Sequence, residues 1–219
     1  MGKMICGYSK EIFGKTGLTN PFFDFLKRME LLEKEIEKKG KVLPGNVLKV
    51  GSFLNQQMDA EFVSRLAEEI YNHFKGKNIN KILTIEASGI AFAILVAKEF
   101  KCQMVFAKKS QALNADGNLY TARCESFTRK TVNNITLPKE YLTKEDNVLI
   151  VDDFLAVGNA IKALREIVDQ AGATLAGVTT IVEKGFQKGG DKLREEGIDL
   201  LSLAIVDKME DGKITFRKN

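Results

Sequence analysis

The chain has 219 residues, of which 44% are hydrophobic, enough to bury a full core and better suited to one α/β domain with a small accessory element than to two independent domains. Its 33 basic and 29 acidic residues leave a formal net charge of +4, with the bases scattered; this speaks against a nucleic-acid partner and is satisfied by a small anionic ligand. Cys6, Cys102 and Cys124 stand far apart without metal-ligand spacing, which argues against a disulfide framework and a zinc site and predicts a reducing, cytoplasmic location. No apolar run approaches the roughly 20 residues that span a bilayer, and the start of the chain lacks the apolar core of a secretory signal.

In chain order, residues 1–28 form an extension whose Phe13, Phe22, Phe23 and Phe25 either pack on the domain or belong to an overlong start. Glu30–Lys39 has the spacing of a charged helix, ended by Gly40 and Pro44, and Val47–Phe53 reads as extended. Phe62, Val63, Leu66, Ile70 and Phe74 share one face, predicting a helix over 60–75 that lies on a sheet. Its neighbour His73, the one histidine of the chain, sits at the polar end of that helix with no carboxylate cluster around it, and no catalytic or metal role is expected.

From there strand and helix alternate: a strand over 81–85, a helix over 90–100, a strand over 103–107, a strand over 147–152, a helix over 161–171 and a strand over 175–182. Such alternation predicts a central parallel sheet flanked by helices, with right-handed crossovers. Between Lys109 and Tyr141 it breaks. Residues 114–118 are a polar turn cluster, and 120–135 reads as an antiparallel pair around Asn133 and Asn134. Short strands at 200–206 and 213–216, joined by Asp211-Gly212, close the chain.

The most informative stretch is Val-Leu-Ile-Val-Asp-Asp-Phe-Leu-Ala-Val-Gly-Asn-Ala, 148–160. An aliphatic interior strand delivers Asp152 and Asp153 to its carboxyl end, where open α/β sheets place ligands. Two adjacent acids repel, so the pair is reasonable where hydroxyl groups or a hard cation such as magnesium share the site. Ala156, Val157, Gly158, Asn159 and Ala160 form a small turn before a helix start, whose free amides favour phosphate. The bland alternative is an acid pair that merely ends the strand and caps the helix. A second loop, Glu86-Ala87-Ser88-Gly89, repeats the arrangement, with amides that can approach an anion closely; its bland alternative is an ordinary turn with Ser88 as the helix cap. Lys108 and Lys109 follow the next strand and either neutralise an anion held by that loop or are a solvated pair.

Taken in order, Leu-Lys-Val-Gly-Ser-Phe-Leu-Asn at 48–55, Ile-Glu-Ala-Ser-Gly-Ile at 85–90, Asp-Asp-Phe-Leu-Ala at 152–156 and Glu-Lys-Gly-Phe-Gln at 183–187 resemble the type I phosphoribosyltransferases over residues 29–219. The resemblance implies their fold: one phosphoribosyltransferase domain, with a hood from about 29–58 and the C-terminal part, and a flexible lid at 109–130 over the site. It makes 156–160 the loop for the ribose phosphate of 5-phosphoribosyl-1-diphosphate (PRPP) and 86–89 the pyrophosphate loop. Related phosphate loops carry hydroxyl or amide side chains where this chain has Val157 and Asn159, so backbone amides are expected to carry more of the contact.

The resemblance also assigns Leu48, Asn55 and Lys184 to a base pocket, where Leu48 offers apolar contact and Asn55 can donate and accept. A lysine amine donates to an exocyclic oxygen, which suits an oxopurine and not adenine. Phe186 is either a stacking surface for the base or core. The implied reaction transfers the phosphoribosyl group from PRPP to xanthine with Mg2+ bound to PRPP, in a homodimer, with no nucleic-acid or membrane partner. No covalent nucleophile is required; the general base is either Asp153, the candidate by place, or none, since free xanthine is itself acidic. Salvage of hypoxanthine, guanine or adenine on the same fold is the alternative enzyme. A non-catalytic PRPP-sensing regulator would need a DNA-binding module, for which 1–28 is too short, and a receiver-like phosphoacceptor leaves the Glu86 loop unexplained.

Overall fold

A computed structural model describes residues 21–43, 47–110, 117–126, 131–210 and 212–217. Helix α1 (Pro21–Lys39) leads into a two-stranded antiparallel hairpin of β1 (Lys41–Leu43) and β2 (Val47–Lys49). Then follow α2 (Ala60–Phe74), β3 (Lys81–Ile85), α3 (Gly89–Phe100) and β4 (Gln103–Ser110). A second hairpin, β5 (Leu119–Ser126) and β6 (Thr131–Pro138), precedes β7 (Asn147–Leu155), α4 (Asn159–Ala171), β8 (Thr174–Lys184), α5 (Gly189–Glu195), β9 (Leu200–Glu210) and β10 (Lys213–Phe216).

The large sheet has the order β10-β9-β8-β7-β3-β4-β6-β5. Its middle five strands, β9, β8, β7, β3 and β4, run parallel, and β10 at one edge and the β5–β6 hairpin at the other are antiparallel. The predicted parallel sheet is therefore the interior of a mixed one. The reason lies in the connections: β3 leads to β4, β7 to β8 and β8 to β9 through a helix, which makes those neighbours parallel, whereas β5–β6 and β9–β10 are separated by only a few residues.

Both faces of the sheet are covered. Phe74, Ile82, Phe92, Val96, Leu149 and Ile181 belong to a core on the side of α2 and α3 that also takes in Leu32, Ile36, Leu48, Phe53 and Leu54. Leu83, Ile85, Leu137, Val148, Ile150, Leu164 and Ile167 form the core under α4. The alternation of Leu149 and Val151 to one core and Val148 and Ile150 to the other is the pleat of a strand buried on both faces. Helix α1 lies against β9 and β10, so the region read as a hood rests on the C-terminal strands.

One expectation changes. Asn133 and Asn134 are strand residues of β6, opposite Cys124 and Arg123 of β5, and not a turn. Strand pairing overrides the turn preference of asparagine because both flanking runs are β-formers that need partners at the sheet edge. The middle of the 109–130 segment, read as a lid, is β5, held to β6 along its length and to α4 through the bonds of Gln170 with Thr121; its parts at 111–116 and 127–130 lie outside the described residues, as do residues 1–20 of the extension and Asp211 of the C-terminal turn. No helix among the described residues is long and apolar enough to cross a membrane.

Candidate active site

Strand β7 continues through the two acids to Leu155, so Asp152 and Asp153 are strand residues, with Asp152 opposite Thr180 of β8. Asp152 is 4% exposed. Its burial, and next the charge of Asp153, push its carboxyl well above the usual carboxylate range. Asp152 Oδ1 accepts the Asp153 N–H at 3.0 Å, and Asp153 Oδ1 accepts the Phe154 N–H at 2.9 Å. The two acids thus differ in environment: Asp152 is buried and Asp153 is more exposed.

The loop after β3 is laced to β4. The Glu86 N–H donates to the Ala107 carbonyl at 3.1 Å, Glu86 Oε1 accepts the Lys109 N–H at 2.6 Å, and the Glu86–Ala87 peptide is cis. Ser88 has helical backbone angles and its side chain caps nothing, which overturns the helix-cap reading, because a capping oxygen reaches the next amides from an extended backbone. Gly89 opens α3 against β3: a β-carbon there would overlap Thr84 Oγ1 and stand 3.5 Å from Asp152 Oδ1. Thr84 Oγ1 is buried without a hydrogen-bond partner.

The loop after β7 turns at Gly158, φ 91°, and α4 then begins at Asn159 with no side-chain cap, so its first amides have no partner within the helix. The Asn159 Nδ2 donates to the Glu125 carbonyl at 3.0 Å and ties this loop to β5. Val157 offers no polar side-chain group, so at this position the loop's polar groups are those of the backbone. Behind the loop Gly189 is required by close approach, since a β-carbon would overlap the Ala156 carbonyl.

The acid pair and both loops line one cavity of about 520 Å³, through Glu86, Ala87, Ser88, Gly89, Asp152, Asp153 and Ala156 to Ala160, with Lys109 beside them. Leu48, Asn55 and Lys184 line it too, the first two from the hairpin region and Lys184 from the end of β8. Asn55 Nδ2 donates to Asp153 Oδ2 at 3.5 Å. Lys184 is half-buried, and desolvation lowers its pKa; its Nζ lies 5.9 Å from the centroid of the Phe154 ring.

Lys108 is not among the lining residues. Consecutive strand residues point to opposite faces, so when Lys109 faces the cavity Lys108 turns away, and its Nζ lies 5.9 Å from the Phe106 ring. Phe186 packs against the core outside the cavity, and Phe154 is the aromatic residue that lines it. Cys124, Glu125 and Asn133 also line it from the β5–β6 hairpin. Sequence reading missed them because nothing local tells which part of an insertion folds back; the one available signal for Phe154 was its place inside the Asp-Asp-Phe-Leu-Ala run. Burial raises the Cys124 thiol pKa, against the pull of Lys109.

A doubly wound sheet with two strand-to-helix loops opening on one cavity at its strand ends points to the class, and residues 50–199 match the phosphoribosyl transferase domain; the chain belongs to that family. More particularly, it is 52% identical over 192 residues to a xanthine phosphoribosyltransferase of Bifidobacterium adolescentis, covering 86% of this chain and 100% of that one. It is 48% identical over 188 residues to one of Ruminiclostridium cellulolyticum, with 86% and 99% covered. Among solved structures, the adenine phosphoribosyltransferase of Rhodothermus marinus superposes with a TM-score of 0.67 at 20% identity, covering 83% of this chain and 99% of that one. The enzyme of Trypanosoma brucei in complex with AMP, pyrophosphate and ribose-5-phosphate gives 0.65 at 22%, covering 80% and 79%. These structures share the fold.

Proposed function

We propose that this chain transfers the 5-phosphoribosyl group of PRPP to xanthine, giving xanthosine 5'-monophosphate and pyrophosphate for purine salvage. The observation that carries the reading is the single cavity in which Asp152, Asp153, both amide-rich loops and Lys109 adjoin Leu48, Asn55 and Lys184. The relatives named xanthine phosphoribosyltransferase, 46–52% identical, support this base.

The 156–160 loop and the start of α4 hold the ribose phosphate, and the 86–89 loop with Lys109 holds the pyrophosphate. Placing these two groups fixes the anomeric carbon between Asp153 and the base, the positioning on which displacement chemistry depends. Positive charge on the ribose ring is countered by Asp153, the more exposed of the two acids, while the buried Asp152 lies beside the ribose hydroxyls. Lys184 donates to an exocyclic oxygen of the base, Asn55 supplies a second polar contact, and Phe154 and Leu48 supply apolar contact.

Among the described residues no group of three or more histidine, cysteine, aspartate or glutamate side chains is gathered to hold a metal. One or two carboxylates and substrate phosphates are the usual donor set of Mg2+, which fits Asp153 and Glu86 beside bound pyrophosphate. Bound there, Mg2+ would balance charge on the leaving group. We assign the protein to the cytoplasm as a homodimer.

The test is pyrophosphate release from PRPP and Mg2+ with xanthine, guanine, hypoxanthine or adenine in separate reactions, for the wild type and Asp152→Asn/Asp153→Asn. Turnover is expected to be fastest with xanthine and lost in the double variant. Preference for another base would overturn the assigned pocket, and PRPP binding without turnover would make the chain a sensor.

A further inference from the structure

We propose a second anion site, on the outer side of the β1–β2 hairpin, for a small phosphorylated ligand. A cavity of about 460 Å³ is lined there by Lys39, Lys41, Lys49, Gly51, Ser52, Gln56 and Gln57, a size within the ordinary range of small-molecule sites, about 300–1,000 Å³. The lining holds three ammonium groups and no carboxylate.

Lys41 and Lys49 are directly opposed partners in the antiparallel pair. Like charges at that position repel and weaken a hairpin, and this hairpin has only three residue pairs to hold it. Among the described residues no carboxylate pairs with either lysine; Lys39 pairs with Glu35 at 2.7 Å. A bound anion between the two ammonium groups converts that repulsion into two charge-assisted contacts. Ser52 and the two glutamine amides add uncharged donors suited to phosphate oxygens.

The site and the inner cavity share the segment 48–57, which supplies Leu48 and Asn55 to one and Lys49, Gly51, Ser52, Gln56 and Gln57 to the other. Strand alternation turns Leu48 inward, 6% exposed, and Lys49 outward. The turn that follows is fixed by the Gln56 and Gln57 N–H groups, which both donate to the Gly51 carbonyl, at 3.0 and 2.9 Å. Asn55, beside Gln56 in that turn, is the residue that reaches Asp153. Occupancy of the outer site therefore bears on the segment that carries two residues of the inner cavity.

The experiment is calorimetric titration of the full chain with inorganic diphosphate. The wild type is expected to bind two equivalents. Lys41→Gln/Lys49→Gln weakens one of them about tenfold or more, Lys41→Arg/Lys49→Arg retains it, and Lys109→Gln weakens only the other. Removing the opposed charges also leaves the thermal midpoint unchanged or higher, which separates lost binding from lost folding. Uptake of one equivalent that responds to Lys109→Gln alone, or a second equivalent that ignores Lys41→Gln/Lys49→Gln, would overturn the outer site and leave the proposed function standing. One equivalent that responds only to Lys41→Gln/Lys49→Gln would support the outer site and count against the pyrophosphate role of the inner loop.

Discussion

Asn55 and Asp153 are 98 positions apart in the chain, yet the amide Nδ2 of one meets the carboxylate Oδ2 of the other at 3.5 Å across the cavity. This contact joins the segment after β2 to the acid pair of β7, so the ends of the cavity proposed for base and ribose are set relative to each other by a polar bond between side chains. Asn55→Ala is expected to lower kcat/KM for xanthine about tenfold, the scale of one hydrogen bond, mostly through KM for the base. Because Asn55 is exposed, the thermal midpoint should hold; steady-state kinetics with each substrate varied in turn checks this.

Lys184 is half-buried and its pKa is lowered by desolvation. Lys184→Ala should cost about 100-fold in kcat/KM for xanthine, as expected for loss of a charged hydrogen-bond donor worth about 1.5–3 kcal/mol. In the wild type, KM for the base should begin to rise at a lower alkaline pH than an exposed lysine would give, and the rise should be absent from the Lys184→Arg variant. A pH series of initial rates measures both.

Asp152 has a folded-state pKa above its unfolded value, chiefly from burial, so the folded protein binds the proton more tightly than the unfolded chain. Its contribution to stability is fully present below the ordinary carboxylate value of 3.8 and is lost as pH rises through the raised folded value. Asp152→Asn removes this dependence. At neutral pH the variant should melt about 2–4 °C higher, near 1 kcal/mol for a chain of this size, with the difference vanishing near pH 4. Calorimetry over a pH series, with activity measured alongside, should show a variant more stable and less active than the wild type.

Gly89→Ala introduces a β-carbon that overlaps Thr84 Oγ1 and should destabilise by about 1–3 kcal/mol. Thr84→Ala removes that oxygen, which is buried and unpartnered, and alone should be close to neutral. The double variant should recover most of the loss, since the two changes share one contact. Denaturant midpoints of the four proteins form the test cycle.

Where neighbouring residues make the decision, this fold was legible before any coordinates. The aliphatic run 148–151 reads as an interior strand because burial on both faces demands it, and the face of Phe62, Leu66, Ile70 and Phe74 reads as a helix because its period leaves one apolar stripe. The acids and both loops were likewise visible, since strand, turn and helix start are consecutive in the chain. Lys108 was misjudged for a matching reason: adjacency in sequence does not tell which of two strand residues faces a cavity until the sheet is formed.

By itself, then, the sequence determined the alternating elements, the acid pair and the two loops between strand and helix, all products of local backbone chemistry and short-range pattern. Only the tertiary structure decided that Asn133 belongs to a strand, that Cys124, Glu125 and Phe154 line the cavity, that Asp152 is buried while Asp153 is not, and that Lys41 and Lys49 stand face to face. Those outcomes depend on strand register and on which surfaces lose water when distant segments pack. Pairings of that kind are settled by long-range contact and carry no signature in neighbouring residues.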